Sequence, residues 1–200
     1  MSEPAALSGL ILAGGASSRM GENKALLALE GRKLIERVAD ALAALTDDIL
    51  IIANEAEPYR FLERPIIPDI RPGYGPLMGL YSGLQAARGE LALLAAVDMP
   101  FLSPDFLRFL LALAPGYDVV IPRTGDRLHP LCAVYRRESC LPAIESAIAR
   151  GQRRLIAFHP QVRVRQVGET DLRRVDPDLR ALMNVNTPEE LEAARRLLQG

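Results

Sequence analysis

Residues 9–24 read GLILAGGASSRMGENK, a short apolar run that leads straight into a glycine-rich polar loop. The run over residues 9–13 is bounded by glycine and predicts a buried strand. In open α/β sheets, ligands bind in the crevice beyond the carboxyl ends of the strands. This stretch therefore predicts an α/β fold, with the ligand site in the loop that follows the strand.

The start of this loop is suited to close contact between the main chain and a phosphate group. Two adjacent glycines have no Cβ atoms, so the backbone can approach a ligand closely. Exposed N–H groups in such a loop can cradle phosphate oxygens. We predict a nucleotide-binding segment formed by Leu12, Ala13, Gly14 and Gly15.

Two cations in the same loop, Arg19 and Lys24, are predicted catalytic residues, and Lys24 also a nucleotide-binding one. A guanidinium offers a planar fork to phosphate oxygens, and an ammonium group adds a mobile point charge. The spacing matches neither G-x-x-x-x-G-K-[ST] nor G-x-G-x-x-G. The alternative is a glycine-rich turn before a helix, with both cations solvated.

The composition indicates a chain that can bury one hydrophobic core. It has 200 residues, of which 49% are hydrophobic, and a formal net charge of −1. Domains of this size usually remain single, so we expect one domain over residues 1–200. The near-neutral charge and the lack of tryptophan argue against nucleic-acid binding.

Other sequence features bear on location and on metal or redox chemistry. No apolar stretch approaches the roughly 20 residues that span a bilayer, so we expect no membrane association. Residues 1–4 lack the positive region of a signal peptide, which predicts a cytoplasmic location. Cys132 and Cys140 lack CxxC spacing, so we expect ordinary thiols there.

Strand-like and helix-like segments alternate along the chain. Ser103 and Thr187, each followed by proline, predict capped helix starts. The predicted strands cover residues 9–13, 49–53, 65–68, 91–97, 119–121, 131–135 and 162–165, and the predicted helices cover 34–45, 77–87, 103–113 and 187–198. This alternation predicts an α/β fold with a doubly wound, mostly parallel sheet.

Asp98 follows the predicted strand 91–97 and is the second chemical feature of the chain. A single carboxylate directed at a triphosphate can hold Mg²⁺, which keeps several waters and takes other ligands from phosphates. Metal and cations together would neutralise charge on a transferring phosphoryl group. We predict that Asp98 is catalytic and a metal ligand; the alternative is a turn aspartate near proline.

The first loop resembles a family signature. Residues 12–24 fit L-A-G-G-x-S-x-R-M-G-x-x-K, which resembles the pattern of the small nucleotidyltransferases. This family includes molybdenum cofactor guanylyltransferases, their cytidylyltransferase relatives and, more distantly, sugar-phosphate and methylerythritol-phosphate nucleotidyltransferases. The resemblance implies a Rossmann-like nucleotidyltransferase fold, and it implies that Asp98 binds Mg²⁺ and also contacts the nucleotide.

A second segment extends the resemblance. Residues 73–79 read GYGPLMG and resemble the family segment G-P-L-A-G near the nucleotide, although Met78 stands where the family usually has alanine. Asp69 precedes this segment and is a candidate nucleotide-binding residue, or else a solvated turn residue. Asn54 resembles a family asparagine near the nucleoside, and it equally fits a strand-end turn.

The end of the chain separates the branches of the family. Residues 183–191 read MNVNTPEEL and resemble the N-x-N-T-P-E-[ED]-L of the guanylyltransferase branch, where cytidylyltransferases more often have D-x-D-T-P. The resemblance puts Asn184 and Asn186 on the pterin side of the site, where amides suit the donors and acceptors of a pterin edge. Alternatively, Asn186 or Thr187 caps the last helix. His129 either orients the acceptor or is structural, and we leave it out of the catalytic set.

The resemblance implies transfer of GMP from Mg-GTP to the phosphate of molybdenum-loaded molybdopterin, with release of pyrophosphate. Mg²⁺ is the implied cofactor, and GTP and the molybdopterin are the implied substrates. Further implied partners are other cofactor-biosynthesis enzymes and apo-molybdoenzymes. The enzyme alternatives are cytidylyl transfer to the same pterin and nucleotidyl transfer to a sugar phosphate. The alternative from another class is a carrier module that binds nucleotide or cofactor without catalysis.

Overall fold

The structure, a computed structural model, describes residues 6–14 and 23–199. Its strands are β1 (Leu7–Leu12), β2 (Ala28–Leu29), β3 (Arg32–Lys33), β4 (Ile49–Ile52), β5 (Ile66–Ile67), β6 (Leu91–Ala96), β7 (Val119–Thr124), β8 (Arg127–Leu128), β9 (Cys132–Arg136) and β10 (Val164–Val167). Its α-helices are α1 (Leu34–Ala43), α2 (Pro76–Ala86), α3 (Pro104–Ala112), α4 (Arg137–Ala149), α5 (Glu169–Leu172) and α6 (Pro188–Gln199). Short 3₁₀ turns cover Lys24–Leu26, Glu57–Leu62, His159–Gln161 and Arg180–Leu182.

One large sheet dominates the molecule, with the strand order β10-β7-β9-β6-β1-β4-β5 and with β8 paired to β7. The pairs β1–β4, β1–β6, β4–β5 and β7–β10 are parallel. Strand β9 is inserted between β6 and β7 and runs antiparallel to both. The carboxyl ends of β1, β4, β5 and β6 therefore meet at one edge, as the predicted, mostly parallel sheet requires.

Helices cover both faces of this sheet. Alternate residues of β1 point to opposite faces: Ile11 belongs to the core formed with α1 and α3, whereas Leu10 and Leu12 belong to the core formed with α2 and α4. Both cores are built mainly from fully buried aliphatic side chains. The doubly wound α/β architecture predicted from the sequence is confirmed. The extent of the domain, residues 1–200, stays a prediction.

A third, smaller core connects the two ends of the chain. Leu29 and Leu34, from the β2–β3 hairpin and the start of α1, pack against Val185, which precedes α6, and against Leu191 and Ala194 of α6. All of these side chains are buried. This contact brings the segment before α6 to the edge of the sheet where β1 and β6 end.

Helix starts agree with the capping residues in the sequence. The Ser103 Oγ accepts a hydrogen bond from the Phe106 N–H at 3.2 Å, and Pro104 is the first residue of α3. Helix α4 was not predicted, because Pro142 lies inside it and interrupts the helical pattern. Across the residues that the structure covers, no helix is both long and apolar enough to span a bilayer.

The predicted strand 162–165 is wrong in its bounds, since β10 runs from Val164 to Val167. The backbone of Arg163 hydrogen-bonds to Asp118 and Val119, one residue before the β7–β10 pairing begins at Val164. Its N–H donates to the Asp118 carboxylate at 2.8 Å, and its carbonyl accepts from the Asp118 and Val119 N–H groups. A side-chain contact of this kind leaves no periodicity in the sequence.

The cysteines are free buried thiols. Burial raises the pKa of Cys132 and that of Cys140 to about 12. Both thiols are therefore protonated at neutral pH.

Gly89 allows the loop before β6 to approach the start of β1. A Cβ at Gly89 would lie 2.5 Å from the Ser8 nitrogen and 2.6 Å from the Leu7 carbonyl carbon, whereas a Cβ at Gly168 would meet no atom within 4 Å. We expect Gly89→Ala to lower the free energy of unfolding by about 1–3 kcal/mol through overpacking. We expect Gly168→Ala to change it by less than about 0.5 kcal/mol. Urea denaturation followed by circular dichroism measures both, and equal effects would contradict this close approach.

Candidate active site

The ends of β1, β4 and β6 lie level with one another. Leu12 is the register partner of both Ile52 and Ala96. Asp98 follows β6 closely, and the Val97 N–H donates to the Leu12 carbonyl at 3.4 Å. The start of the first loop and the carboxylate of Asp98 therefore lie close together at the same edge of the sheet.

The beginning of the first loop is tied to β4. The Ala13 and Gly14 N–H groups both donate to the Ile52 carbonyl, at 3.0 and 3.1 Å. These two amides therefore donate to the neighbouring strand in this structure, and the role of residues 12–15 toward a nucleotide stays a prediction. Gly15 and Arg19, both predicted site residues, lie outside the described residues.

Where the described chain resumes, a hydrogen-bond network positions Lys24. The Asn23 side chain accepts from the Ala25 N–H at 3.1 Å and so starts the 3₁₀ turn that begins at Lys24. Its Nδ2 donates to the Tyr59 hydroxyl at 3.0 Å, and that hydroxyl donates to the Ala13 carbonyl at 3.1 Å. Sequence reasoning missed Asn23 and Tyr59. An asparagine directly before a helical turn was the available signal for Asn23, whereas Tyr59 gave none.

Four of the predicted site residues meet beside β6. The Asn184 Nδ2 donates to the Asp98 Oδ1 at 2.9 Å, and the Lys24 Nζ donates to the Asn186 Oδ1 at 2.9 Å. The Val185 N–H donates to the Asp98 carbonyl at 2.8 Å. A carboxylate, an ammonium group and two amides thus occupy one small region, although they come from distant parts of the sequence.

The electrostatics of this region centre on Asp98. Burial raises the pKa of its carboxyl, while the hydrogen bond from Asn184 and the charge of Lys24 oppose that rise. A divalent metal ion bound to this carboxylate would favour its ionised form further.

Thr187, and not Asn186, caps the last helix. Its Oγ1 accepts from the Glu190 N–H at 3.1 Å, and the Glu190 carboxylate accepts from the Thr187 N–H at 3.2 Å. This reciprocal pair is a capping box. The Asn186 side chain is therefore free of the cap and contacts Lys24 instead.

Asn54 and Asp69 form a second polar pair at the same edge of the sheet. The Asp69 N–H donates to the Asn54 Oδ1 at 2.9 Å, and the Asn54 Nδ2 donates to the Asp69 Oδ2 at 3.0 Å. Gly79 of α2 lies between this pair and the first loop: a Cβ there would lie 2.4 Å from the Leu12 Cδ1 and 3.5 Å from the Asp69 Oδ1. The glycine lets α2 approach the end of β1. The pair links the ends of β4 and β5, and its role toward a nucleotide stays a prediction.

A cavity of about 310 Å³ opens beside Asn184 and Asn186. Phe101, Leu182 and Met183 contribute apolar surface to its lining, and Arg127 contributes a cation. Arg127 forms no ion pair with any residue in the ranges 6–14 and 23–199. Glu190 also lines the cavity, so one cationic and one acidic side chain stand beside its apolar surface.

His129 directly follows the β7–β8 hairpin and makes a structural contact with it. Its ring Nε2 lies 2.7 Å from the Thr124 Oγ1, and its backbone N–H donates to the Pro122 carbonyl at 3.0 Å. Burial lowers the pKa of His129, and the charge of Arg127 lowers it further, so the ring is neutral at physiological pH.

A doubly wound sheet whose strand ends gather a lysine, a lone carboxylate and two amides has the architecture of an enzyme that transfers nucleotides. The family model described as "MobA-like NTP transferase domain" matches residues 9–164. The chain belongs to this family, and the resemblance seen in its motifs is confirmed.

Several relatives match this chain over nearly its whole length. A protein of Desulfosudis oleivorans named "Molybdenum cofactor guanylyltransferase" is 39% identical over 196 residues, covering 97% of this chain and 96% of the relative. A "Probable molybdenum cofactor guanylyltransferase" of Pelotomaculum thermopropionicum is 40% identical over 187 residues, covering 94% and 91%. The crystal structure of "Molybdopterin-guanine dinucleotide biosynthesis protein A" from Archaeoglobus fulgidus superposes with a TM-score of 0.82 at 28% identity, covering 96% of this chain and 98% of that one.

Proposed function

We propose that this protein transfers GMP from GTP to the phosphate of molybdenum-loaded molybdopterin, releasing pyrophosphate and forming the guanine dinucleotide form of the cofactor. The names of the similar proteins support this activity. The observation that carries the proposal is the meeting of Lys24, Asp98, Asn184 and Asn186 beside a cavity with a cationic residue.

The chemistry asks for positioning and charge stabilisation more than for proton transfer. An acceptor phosphate oxygen attacks the α-phosphorus of GTP in line, forming the new P–O bond while the bond to pyrophosphate breaks. The attacking phosphate is already an anion, so no general base is needed. Lys24, together with the predicted Arg19, stabilises the negative charge on the departing pyrophosphate.

Asp98 is the proposed ligand for Mg²⁺. Its carboxylate accepts one hydrogen bond from the neutral Asn184, which leaves further lone pairs for a metal. Among the residues that the structure describes, no group of three or more His, Cys, Asp or Glu side chains could hold a metal ion by itself. A single carboxylate fits Mg²⁺ that takes its remaining ligands from phosphates and water. When bound, the ion would neutralise charge on the phosphates.

In this proposal, the nucleotide and the acceptor bind on different sides of the site. Residues 12–14, Asn54 and Asp69 belong to the nucleotide side, along the ends of β1, β4 and β5, and Gly15 is assigned to that side from the sequence alone. Asn184 and Asn186 belong to the pterin side, where amide groups not used in the hydrogen bonds described above face the acceptor. The apolar lining of the neighbouring cavity suits a fused heterocycle.

Location and further partners remain predictions. We propose a cytoplasmic location, and we propose that other cofactor-biosynthesis enzymes and apo-molybdoenzymes are partners. Neither follows from the geometry of the site.

Two other enzyme activities and one binding function remain as alternatives. Cytidylyl transfer to the same pterin and nucleotidyl transfer to a sugar phosphate would use the same phosphate chemistry, and the sequence N-x-N at residues 184–186 argues against both. A carrier module would bind nucleotide without releasing pyrophosphate. The presence of Arg19, Lys24 and Asp98 together argues against a carrier, because these are the residue types that phosphoryl transfer uses.

Asp98→Ala tests the proposed metal ligand. We expect pyrophosphate release to fall at least about a hundredfold, since an electrostatic group at the reacting phosphates is lost. Burial raises the pKa of Asp98, so its ionised form lowers folding stability above that pKa, and the variant should unfold at an equal or higher temperature. The matched control is Asp105→Ala, which removes an exposed carboxylate paired with Arg108. Full Mg²⁺-dependent activity in Asp98→Ala would contradict the assignment.

Arg127→Met tests the cation of the acceptor cavity. The acceptor carries a phosphate, so we expect its KM to rise about tenfold while the KM for GTP stays unchanged. Arg123→Met is the control in the same hairpin, because the Arg123 side chain donates to the Gly125 carbonyl at 3.2 Å and does not line the cavity. Steady-state kinetics with varied acceptor measures the effect. An unchanged acceptor KM in Arg127→Met would remove Arg127 from the acceptor site.

A further inference from the structure

Three hydrogen bonds join the segment 184–186 to Lys24 and Asp98. Two of them are side-chain hydrogen bonds, from Asn184 to the Asp98 carboxylate and from Lys24 to Asn186. The third is the main-chain hydrogen bond from the Val185 N–H to the Asp98 carbonyl. The two asparagines thus contact the two groups that the proposed mechanism depends on most.

The middle residue of this segment fixes its position. The Val185 side chain is 2% exposed and packs with Leu29 and Leu191 in the small core between the hairpin and α6. Thr187 holds the following helix start through its capping box with Glu190. The asparagines are therefore carried by a rigid backbone, which is what a positioning residue requires.

Each contact restricts a group that would otherwise move. Lys24 has a flexible four-carbon stem, and the Asn186 oxygen selects one position for its ammonium group. The Asp98 carboxylate can rotate, and the Asn184 amide fixes the orientation of its two oxygens. Orienting groups of this kind around a metal ligand strongly affect metal affinity.

On this basis we infer that Asn184 and Asn186 are positioning residues for Asp98 and Lys24, in addition to facing the acceptor. The inference rests on the proposed function. Asn184 acts on the metal ligand and Asn186 acts on the phosphate-binding lysine. The two substitutions should therefore have different effects on nucleotide binding, even when no acceptor is present.

Calorimetric titration with GTP, with and without Mg²⁺ and with no pterin in solution, tests this difference. We expect Asn186→Ala to weaken GTP binding about tenfold under both conditions, because Lys24 loses its anchor. We expect Asn184→Ala to bind metal-free GTP like the parent protein and to lose most of the gain in affinity that Mg²⁺ provides.

Ser103→Ala is the control for a purely structural effect, because it removes the cap of α3, which lies outside the segment 184–186. It should lower the denaturation midpoint through loss of the cap, while leaving both GTP affinities unchanged. If the parent protein binds GTP and both asparagine variants bind it equally well, with only the acceptor KM raised, the positioning role is wrong and the asparagines contact the acceptor alone. If the parent protein itself binds no GTP with Mg²⁺, the proposed function is wrong.

Discussion

A partly buried carboxylate at the end of β6 is the constraint on which the site depends. An ionised group in this position needs compensating partners, because burial disfavours its charge. Lys24 supplies the cation and Asn184 supplies the hydrogen bond. One lies early in the chain and the other near its end, so the two ends must meet beside Asp98. The small core around Leu29 and Val185 provides that meeting point.

The parallel sheet explains why the remaining candidate residues lie nearby. Strands β1, β4, β5 and β6 run in one direction, so the loops that follow them share an edge. Asn54 and Asp69 are thereby joined at one part of the edge, and Asp98 lies beside the first loop at another. In the proposed function, the nucleotide and the acceptor approach the β1 terminus from these different parts of the edge.

Much of this organisation could be predicted from local patterns. Apolar runs bounded by glycine or proline gave the central strands, and Ser103 and Thr187 gave the starts of two helices. Features that rely on contacts between distant residues could not be predicted in this way. Helix α4 was missed because of Pro142, and the start of β10 depends on a carboxylate that lies 45 residues before Arg163.

In the site, too, local patterns could be predicted and contacts between distant residues could not. The residue types of Lys24 and Asp98 pointed to phosphate and metal chemistry, and the family resemblance implied the pterin side for Asn184 and Asn186. Neither indicated how these residues pair, because Asn184 is 86 residues from Asp98 and Asn186 is 162 residues from Lys24. The backbone amides of Ala13 and Gly14 show that a local pattern can also suggest a feature that a distant contact removes. A glycine-rich loop predicted free donors, whereas the neighbouring β4 carbonyl accepts their hydrogen bonds.

Pyrophosphate release from GTP and from CTP, each with Mg²⁺ and each with and without molybdenum-loaded molybdopterin, is the most direct test of the proposed activity. We expect release that requires the pterin and that strongly favours GTP. Preference for CTP would contradict guanylyl transfer and favour the cytidylyltransferase reaction. Absence of release with either nucleotide would contradict catalysis on this acceptor altogether.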